Sequence, residues 1–284
     1  MEINQIYNMD VIEFLKVLKD ESIDIIITDP PFMISREAKI TRSRNPKKYK
    51  YVGKDIEFMF GEWDCFDSEE DYWKFTYSWL RESLRVLKKG GHFLIFFDKF
   101  KITPLVNWFK ENDCIARQPL FWIKKNPCPM ARKVSFMNAV SLIFWATKHS
   151  TSRKYATFNY QLGQHTDYIY APICGGNERY EFGFHPTQKP IKVIRWLLKY
   201  LSNKGDIVLD PFVGSGTTAV ASLMEGRLFI CNDKNLKFVE MAQKRLLKIP
   251  NTKIDDFWDF SKEKPQIPKG TSLNPNVIFN KNQR

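Results

Sequence analysis

The sequence predicts an α/β fold built on a doubly wound, mostly parallel sheet. Three observations carry this. Short apolar runs alternate with stretches of helical period along most of the 284 residues. The run "IDIIIT" at 23–28 is β-branched and unbroken, as a strand buried on both faces must be. Near the C-terminal end, "DIVLDPFVGSGTTAVASLMEG" passes from strand through a glycine turn straight into helix.

The elements follow in order. "DVIEFLKVLKD" places Val11, Phe14, Leu15 and Leu18 at helical spacing, a short amphipathic helix before the first strand. Residues 33–62 are basic, polar and weakly periodic, a long loop. "SEEDYWKFTYSWLRESLRVLKKGG" opens on a Ser cap with early acids and ends in Lys-Lys-Gly-Gly, a helix with both boundary signals. "HFLIFFD" is the next strand, "ITPLVNWFKEND" a helix, "ARQPLFWIKKN" one strand and "AVSLIFWATK" another. A second basic loop, "NPCPMARK", separates the last two.

Residues 148–185, rich in Tyr, Thr, Asn and Gly, break the rhythm and read as an inserted recognition segment rather than core. Helix "KPIKVIRWLLKYLS", strand "DIVLD", helix "TTAVASLMEG", strand "RLFICND" and helix "LKFVEMAQKRLLK" then restore it. Residues 251–284 are Pro-, Asn- and Lys-rich, a surface tail. This organisation gives one domain over 1–250, with an insert at about 126–185, and the tail.

Composition narrows the function. The hydrophobic fraction of 43% is that of a globular chain. No apolar run is long enough to span a membrane, and "MEINQIYNMD" lacks a signal-peptide pattern, so a soluble cytoplasmic protein is expected. The five cysteines form no Cys-x-x-Cys pair and the four histidines are isolated, which argues against disulfides and a metal site. The net charge of +12 is concentrated: residues 36–54 hold eight Lys or Arg against one acid. A phosphate backbone is the commonest partner of such a surface; a solvated basic loop is the alternative.

Two motifs carry chemistry. In the glycine turn, backbone N–H groups and a helix N-terminus approach a ligand, and Asp233 follows Gly214 at the distance of a ribose-binding acid. There is no P-loop lysine, and Asp210 beside the turn disfavours pyrophosphate. It favours a cationic amino group, such as that of S-adenosylmethionine. The second motif is Asp29-Pro30-Pro31-Phe32, at the end of the first strand. Ligands of parallel sheets bind at the C-terminal strand edge, so Asp29 should share a crevice with the glycine turn. The prolines stiffen the backbone and remove two N–H donors, leaving carbonyls as acceptors. An acid, a rigid carbonyl and the Phe32 ring suit a planar exocyclic amine, with acceptors aimed at its protons and stacking worth roughly 1–3 kcal/mol. A plain strand-ending turn remains the alternative for this motif alone.

Together, "DPPF" and, about 180 residues later, "DPFVGSGTT" resemble the S-adenosylmethionine-dependent amino-methyltransferases of DNA. The motif order is that of their β-group. "HPTQKP" at 185–190, the opening "NMDVIEFLKVLKDESIDIIITDPPF" and "WLRESLRVLKKGGHFLIFF" strengthen the likeness, which spans about residues 4–249.

The resemblance implies a Rossmann-like methyltransferase fold and a base flipped out of the duplex. It assigns Asp29, Pro30, Pro31 and Phe32 to the target base. Phe212, Gly214, Ser215, Gly216 and Thr217 would line the cofactor, with Asp210 near its amino group. Asp233 would bind the ribose, Asp10 would lie near the cofactor adenine, and Thr187 and Lys189 would close the methionine end. Asp233 stands in "ICND" where the family more often has Glu, and Asp10 reads equally as a helix N-cap. Arg36, Lys39, Arg42, Arg44, Lys47, Lys48 and Lys50, with Arg132 and Lys133, would grip phosphates. The partner implied is double-stranded DNA, with a homodimer and a cognate restriction endonuclease as further expectations. An acid opening the first motif favours adenine N6 over cytosine N4. RNA or single-stranded DNA as substrate, and a silent DNA-binding subunit, are the other readings.

Overall fold

The computed structural model describes residues 1–35, 64–128, 134–150 and 156–248, and the backbone of 39–40 and 56–57. In chain order the elements are β1 (Gln5–Tyr7), α1 (Val11–Lys16), β2 (Ile23–Thr28), β3 (Lys39–Ile40), β4 (Ile56–Glu57), α2 (Glu69–Val86), β5 (Leu87–Phe97) and α3 (Ile102–Glu111). Then come β6 (Cys114–Ala116), β7 (Leu120–Lys124), β8 (Val140–Lys148), β9 (Tyr168–Ala171), α4 (Gly176–Tyr180), α5 (Ile191–Leu201), β10 (Ile207–Asp210), α6 (Thr217–Met224), β11 (Leu228–Asn232) and α7 (Leu236–Lys248).

Nine strands form one sheet in the order β1-β11-β10-β2-β5-β8-β7-β9, with β6 paired to β8. From β1 to β5 every pairing is parallel, with Val208 opposite Ile25 and Ile26 opposite Phe93. β8 runs antiparallel to β5 and β7, and β9 lies parallel to β7. The unbroken apolar strands are explained by two cores. Ile25, Ile27, Leu94 and Phe96 face α5 and α6 through Val193, Leu197 and Ala219. Ile26, Phe93 and Ile95 face α1, α2 and α3 through Phe14, Trp79 and Phe109. Among the described residues no helix is long and apolar enough to cross a membrane.

Four details differ from the sequence reading. The helix from Ser68 ends at Val86, and Lys88-Lys89-Gly90-Gly91 lie within β5. They absorb a bulge, where the register jumps from Ile23–Leu87 to Ile25–His92. A Cβ at Gly91 would stand 2.8 Å from the Asp24 carbonyl oxygen, so glycine is required by close approach rather than as a helix stop. "ARQPLFWIKKN" is two strands, β6 and β7, separated at Pro119, which has no N–H for a ladder. The 33–62 loop contains an antiparallel pairing of β3 with β4. Finally, residues 148–185, expected as a recognition segment rather than core, supply β9 to the main sheet, with Ile169 and Ala171 buried. The expected tail, and Arg36, Arg42, Arg44, Lys47, Lys48, Lys50, Arg132, Lys133 and the side chain of Lys39, lie outside the described residues.

Candidate active site

β2 and β10 are neighbours, and the helices that follow them, α2 and α6, pack on opposite faces of the sheet. A crevice opens where the winding reverses. The chain leaves β2 through Asp29 and leaves β10 through the glycine turn, and the two motifs touch. The Thr28 hydroxyl donates to Asp210 Oδ1 at 2.7 Å.

A cavity of about 280 Å³ lies at this edge. Asp29 and Pro31 line it from β2, and Asp210, Phe212, Gly214, Ser215 and Thr217 from β10 and its turn. Asp10, Asp233, Thr187 and Lys189 complete the set, so the sequence-assigned residues of four separate motifs converge. Pro30, Phe32 and Gly216 are not among the lining residues. The Phe32 ring packs edge-on against Phe97 at 6.0 Å between centroids, and against both cores. Gly216, at φ 82°, is a packing residue: a Cβ there would stand 2.5 Å from Ala242 Cβ on α7.

The acids are held in different ways. Asp10 caps α1, its Oδ1 accepting from the Ile12 N–H at 2.9 Å, so the cap and a place in the cavity coexist. Asp233 braces the turn: Oδ2 accepts from the Gly214 N–H at 2.9 Å, and Oδ1 from the Asn235 N–H at 2.8 Å. Burial raises its pKa, against those two hydrogen bonds. Asp210 is 3% exposed, and burial pushes its carboxyl up to about 7 despite hydrogen bonds from Thr218, Thr28 and the Phe212 N–H. Asp29 is also raised by burial, with Lys189 opposing and Asp64 adding to the shift. Its Oδ2 forms an ion pair with the Lys189 ammonium. Its Oδ1 is buried and has no hydrogen-bond partner among the described residues. Lys189, assigned from the sequence to the methionine end of a cofactor, lines the cavity and pairs its ammonium with Asp29.

Three further residues shape the site and carry no sequence signal of their own. Asp64, 1% exposed, accepts the backbone N–H groups of Phe32, Met33, Ile34 and Ser35 at 2.7–2.9 Å. Lys101 holds the other side of the same loop, its ammonium 2.6 Å from the Phe32 carbonyl oxygen. Arg245 on α7 donates to the Ser215 carbonyl at 2.7 Å and to the Thr217 hydroxyl at 3.1 Å, fixing the glycine turn from behind. His185 packs on Phe238 at 4.5 Å, and burial lowers its pKa to about 3, so it is a neutral wall.

Three carboxylates, Asp10, Asp210 and Asp233, around one cavity suit a ligand that carries positive charge and hydroxyls. They do not suit a pyrophosphate. Among the described residues no group of His, Cys, Asp and Glu could hold a metal ion.

A reversal-point crevice, a glycine turn flanked by acids and an Asp-Pro-Pro-Phe loop thus share one edge of the sheet. The sequence model of the DNA methylase family matches residues 23–244, and the chain belongs to that family, which depends on S-adenosylmethionine. The Type II methyltransferase M.HinfI of Haemophilus influenzae is 30% identical over 300 residues, covering 99% of this chain and 80% of its own. The Type II methyltransferase M2.MboI of Moraxella bovis is 32% identical over 251 residues, covering 86% and 88%. Among solved structures, the M1.HpyAVI complex with S-adenosylmethionine has a TM-score of 0.62 at 25% identity, over 85% of this chain and 98% of that one. The cytosine-N4-specific PvuII DNA methyltransferase has a TM-score of 0.66 at 19% identity, over 88% of each chain, which is a likeness of fold.

Proposed function

We propose that this DNA methyltransferase acts on the exocyclic N6 amine of adenine, flipped out of a specific double-stranded sequence. The observation that carries this is Asp29, which lines the same cavity as the glycine turn and holds in Oδ1 a buried acceptor without a partner among the described residues. A buried acceptor is costly unless a ligand satisfies it. An exocyclic amine has the two N–H groups to do so.

Asp29 Oδ1 accepts one of those protons. We assign the second proton to a backbone carbonyl of the same loop, where Pro31 lines the cavity and its oxygen, which takes the Tyr72 hydroxyl at 3.3 Å, keeps a second lone pair. Two acceptors on the N–H groups turn the nitrogen lone pair out of conjugation, and that stabilisation grows as the nitrogen becomes tetrahedral. The cofactor, when bound, supplies an electrophilic methyl on a sulfonium. The amine nitrogen would take that methyl as its bond to sulfur breaks, the sulfur would leave as a neutral thioether, and the methylated nitrogen would release one proton to solvent. Asp210 would hold the cofactor ammonium, Asp233 its ribose hydroxyls, and Asp10 would lie near its adenine. Phe212, Gly214, Ser215 and Thr217 would line it, and Thr187 would sit at its methionine end.

The basic residues of 36–54 would grip phosphates, and residues from 126–185 would read base edges. The two relatives are named Type II methyltransferases, and we read this chain as the modification half of such a system. The test is direct: incubate the protein with genomic DNA and methyl-labelled cofactor, then map the modified base. N6-methyladenine at one short sequence is expected. N4-methylcytosine would overturn the adenine assignment, and modification confined to RNA or single strands would overturn the duplex substrate.

A further inference from the structure

We propose that Lys189 is a positioning residue for Asp29, holding Oδ2 so that Oδ1 alone faces the target amine. This rests on the reading above that Asp29 receives that amine. Lys189 is anchored for the task from three directions. Its carbonyl accepts from the Thr217 hydroxyl at 3.1 Å, tying it to the start of α6. The next residue, Pro190, has φ −66° and caps α5, which fixes the backbone direction. Its ammonium donates to the Thr187 carbonyl at 3.1 Å and lies 5.1 Å from the centre of the Phe96 ring. The side chain is 12% exposed and its Asp29 partner 20%, so water screens the pair weakly.

The chemistry needs this partner. A carboxyl in such a place gains a proton readily, and a protonated oxygen donates where an amine N–H requires an acceptor. The other charges around Asp29 make matters worse or lie elsewhere. Asp64 pushes it toward the neutral form, Asp210 is a second acid within electrostatic reach, and the Lys101 ammonium is spent on the Phe32 and Met33 carbonyls. Lys189 is the cation in contact. It also fixes the carboxylate rotation, since one oxygen meets the ammonium and the other, Oδ1, is left without a partner among the described residues.

The experiment compares the wild type with Lys189→Met, Lys189→Gln and Lys189→Arg on duplex DNA across pH, with cofactor affinity measured separately by calorimetry. At neutral pH the two neutral variants should lose kcat at least about tenfold, as removing an aimed acid–base group does. Their acidic limb should move to higher pH, with activity recovering in alkaline buffer. The arginine variant should keep the limb where the wild type has it, and cofactor affinity should stay within about twofold in all three. A residue that only stabilised the fold would lower activity without moving the limb.

An unmoved limb overturns the proposal, as does loss of cofactor affinity with kcat intact, which would return Lys189 to the methionine end. If neither neutral variant folds, isotope-edited infrared spectra of Asp29 in the wild-type protein decide: a carboxylate at neutral pH supports the proposal and a protonated acid overturns it. The base modified by the wild type tests the function itself, so the two readings fail separately; a wild type that modifies no DNA overturns both.

Discussion

Thr28 and Asp210 stand 182 residues apart in sequence, and the Thr28 hydroxyl donates to Asp210 Oδ1 at 2.7 Å. This bond joins the strand that ends in the Asp-Pro-Pro-Phe loop to the strand that ends in the glycine turn. It also satisfies an acid that burial disfavours. Thr28→Val keeps the shape of the side chain and removes the donor. It should cost roughly 1–3 kcal/mol of stability, as loss of a buried hydrogen bond to a charged group does. Cofactor affinity should fall with it. Thermal unfolding and calorimetry check both, and unchanged values in each would show that the bond is incidental.

The pKa of Asp210 gives a sign that can be tested. Its ordinary value is 3.8 and burial raises it to about 7. Between those values the folded chain holds a proton that the unfolded chain has released. The stabilisation from this group is therefore fully present below 3.8 and declines as pH rises toward about 7. Cofactor binding runs the other way, because an ammonium prefers the ionised acid. Affinity should rise with pH and level off above about 7. Below that plateau it should fall by about tenfold per pH unit. Asp210→Asn should bind weakly with a flat profile. A wild-type profile that is also flat would separate the cofactor ammonium from Asp210.

Asp64 answers for the geometry of the loop after Asp-Pro-Pro. Four consecutive backbone N–H groups, from Phe32 to Ser35, converge on its two oxygens. Met33 sits at φ 54° within this turn, a conformation that a bulky side chain adopts only when its surroundings hold it there. Asp64→Ala should lower methyl transfer by roughly a hundredfold, the scale of a small misplacement of catalytic groups. Cofactor affinity should remain near the wild-type value, because the glycine turn is braced by Asp233 and Arg245 instead. Hydrogen exchange at residues 32–35 should accelerate. Slow exchange there in the variant would show that the loop keeps its shape without the acid.

The sheet was legible in the sequence because a strand buried on both faces must be apolar throughout, as Ile25, Ile26 and Ile27 are. The glycine turn and the Asp-Pro-Pro-Phe loop were legible because their residues are poor choices for anything but an exposed edge. Asp64 was not: one acid after a long basic stretch has no period and no fixed spacing from the loop it clamps. The Asp29–Lys189 pair was hidden for the same reason, since its members lie 160 residues apart and only the sheet brings them together. β9 was missed because Tyr168–Ala171 alternates buried and more exposed positions over only four residues, too short to stand out among the surrounding polar residues. Phe32 was read as an open stacking face from its place in the motif, whereas the turn clamped by Asp64 folds its ring onto Phe97.

Two glycines of positive φ separate backbone strain from steric exclusion. Gly216 has φ 82°, and an added Cβ would lie 2.5 Å from Ala242 Cβ and 2.8 Å from Ala242 Cα. Neither neighbouring atom can swing away, because Ala242 is fully buried on α7. Gly163 has φ 92°, and an added Cβ there would have open space. Its ψ of 160° places it in a region that essentially only glycine occupies, so Gly163→Ala should show a purely conformational penalty, roughly 1–3 kcal/mol. Gly216, at ψ 13°, is left-handed helical, where alanine pays roughly 1–2 kcal/mol, and the displacement of α7 adds a further 1–3 kcal/mol or so for overpacking. Since Arg245 on α7 holds Ser215 and Thr217, that displacement should also weaken cofactor binding, which Gly163→Ala should leave unchanged. Denaturant unfolding and cofactor titration of the two variants side by side measure the difference. A loss at Gly216 of no more than about 1–2 kcal/mol, with cofactor binding intact, would mean that α7 yields to the extra methyl without resistance, and that its packing does not set the shape of the glycine turn.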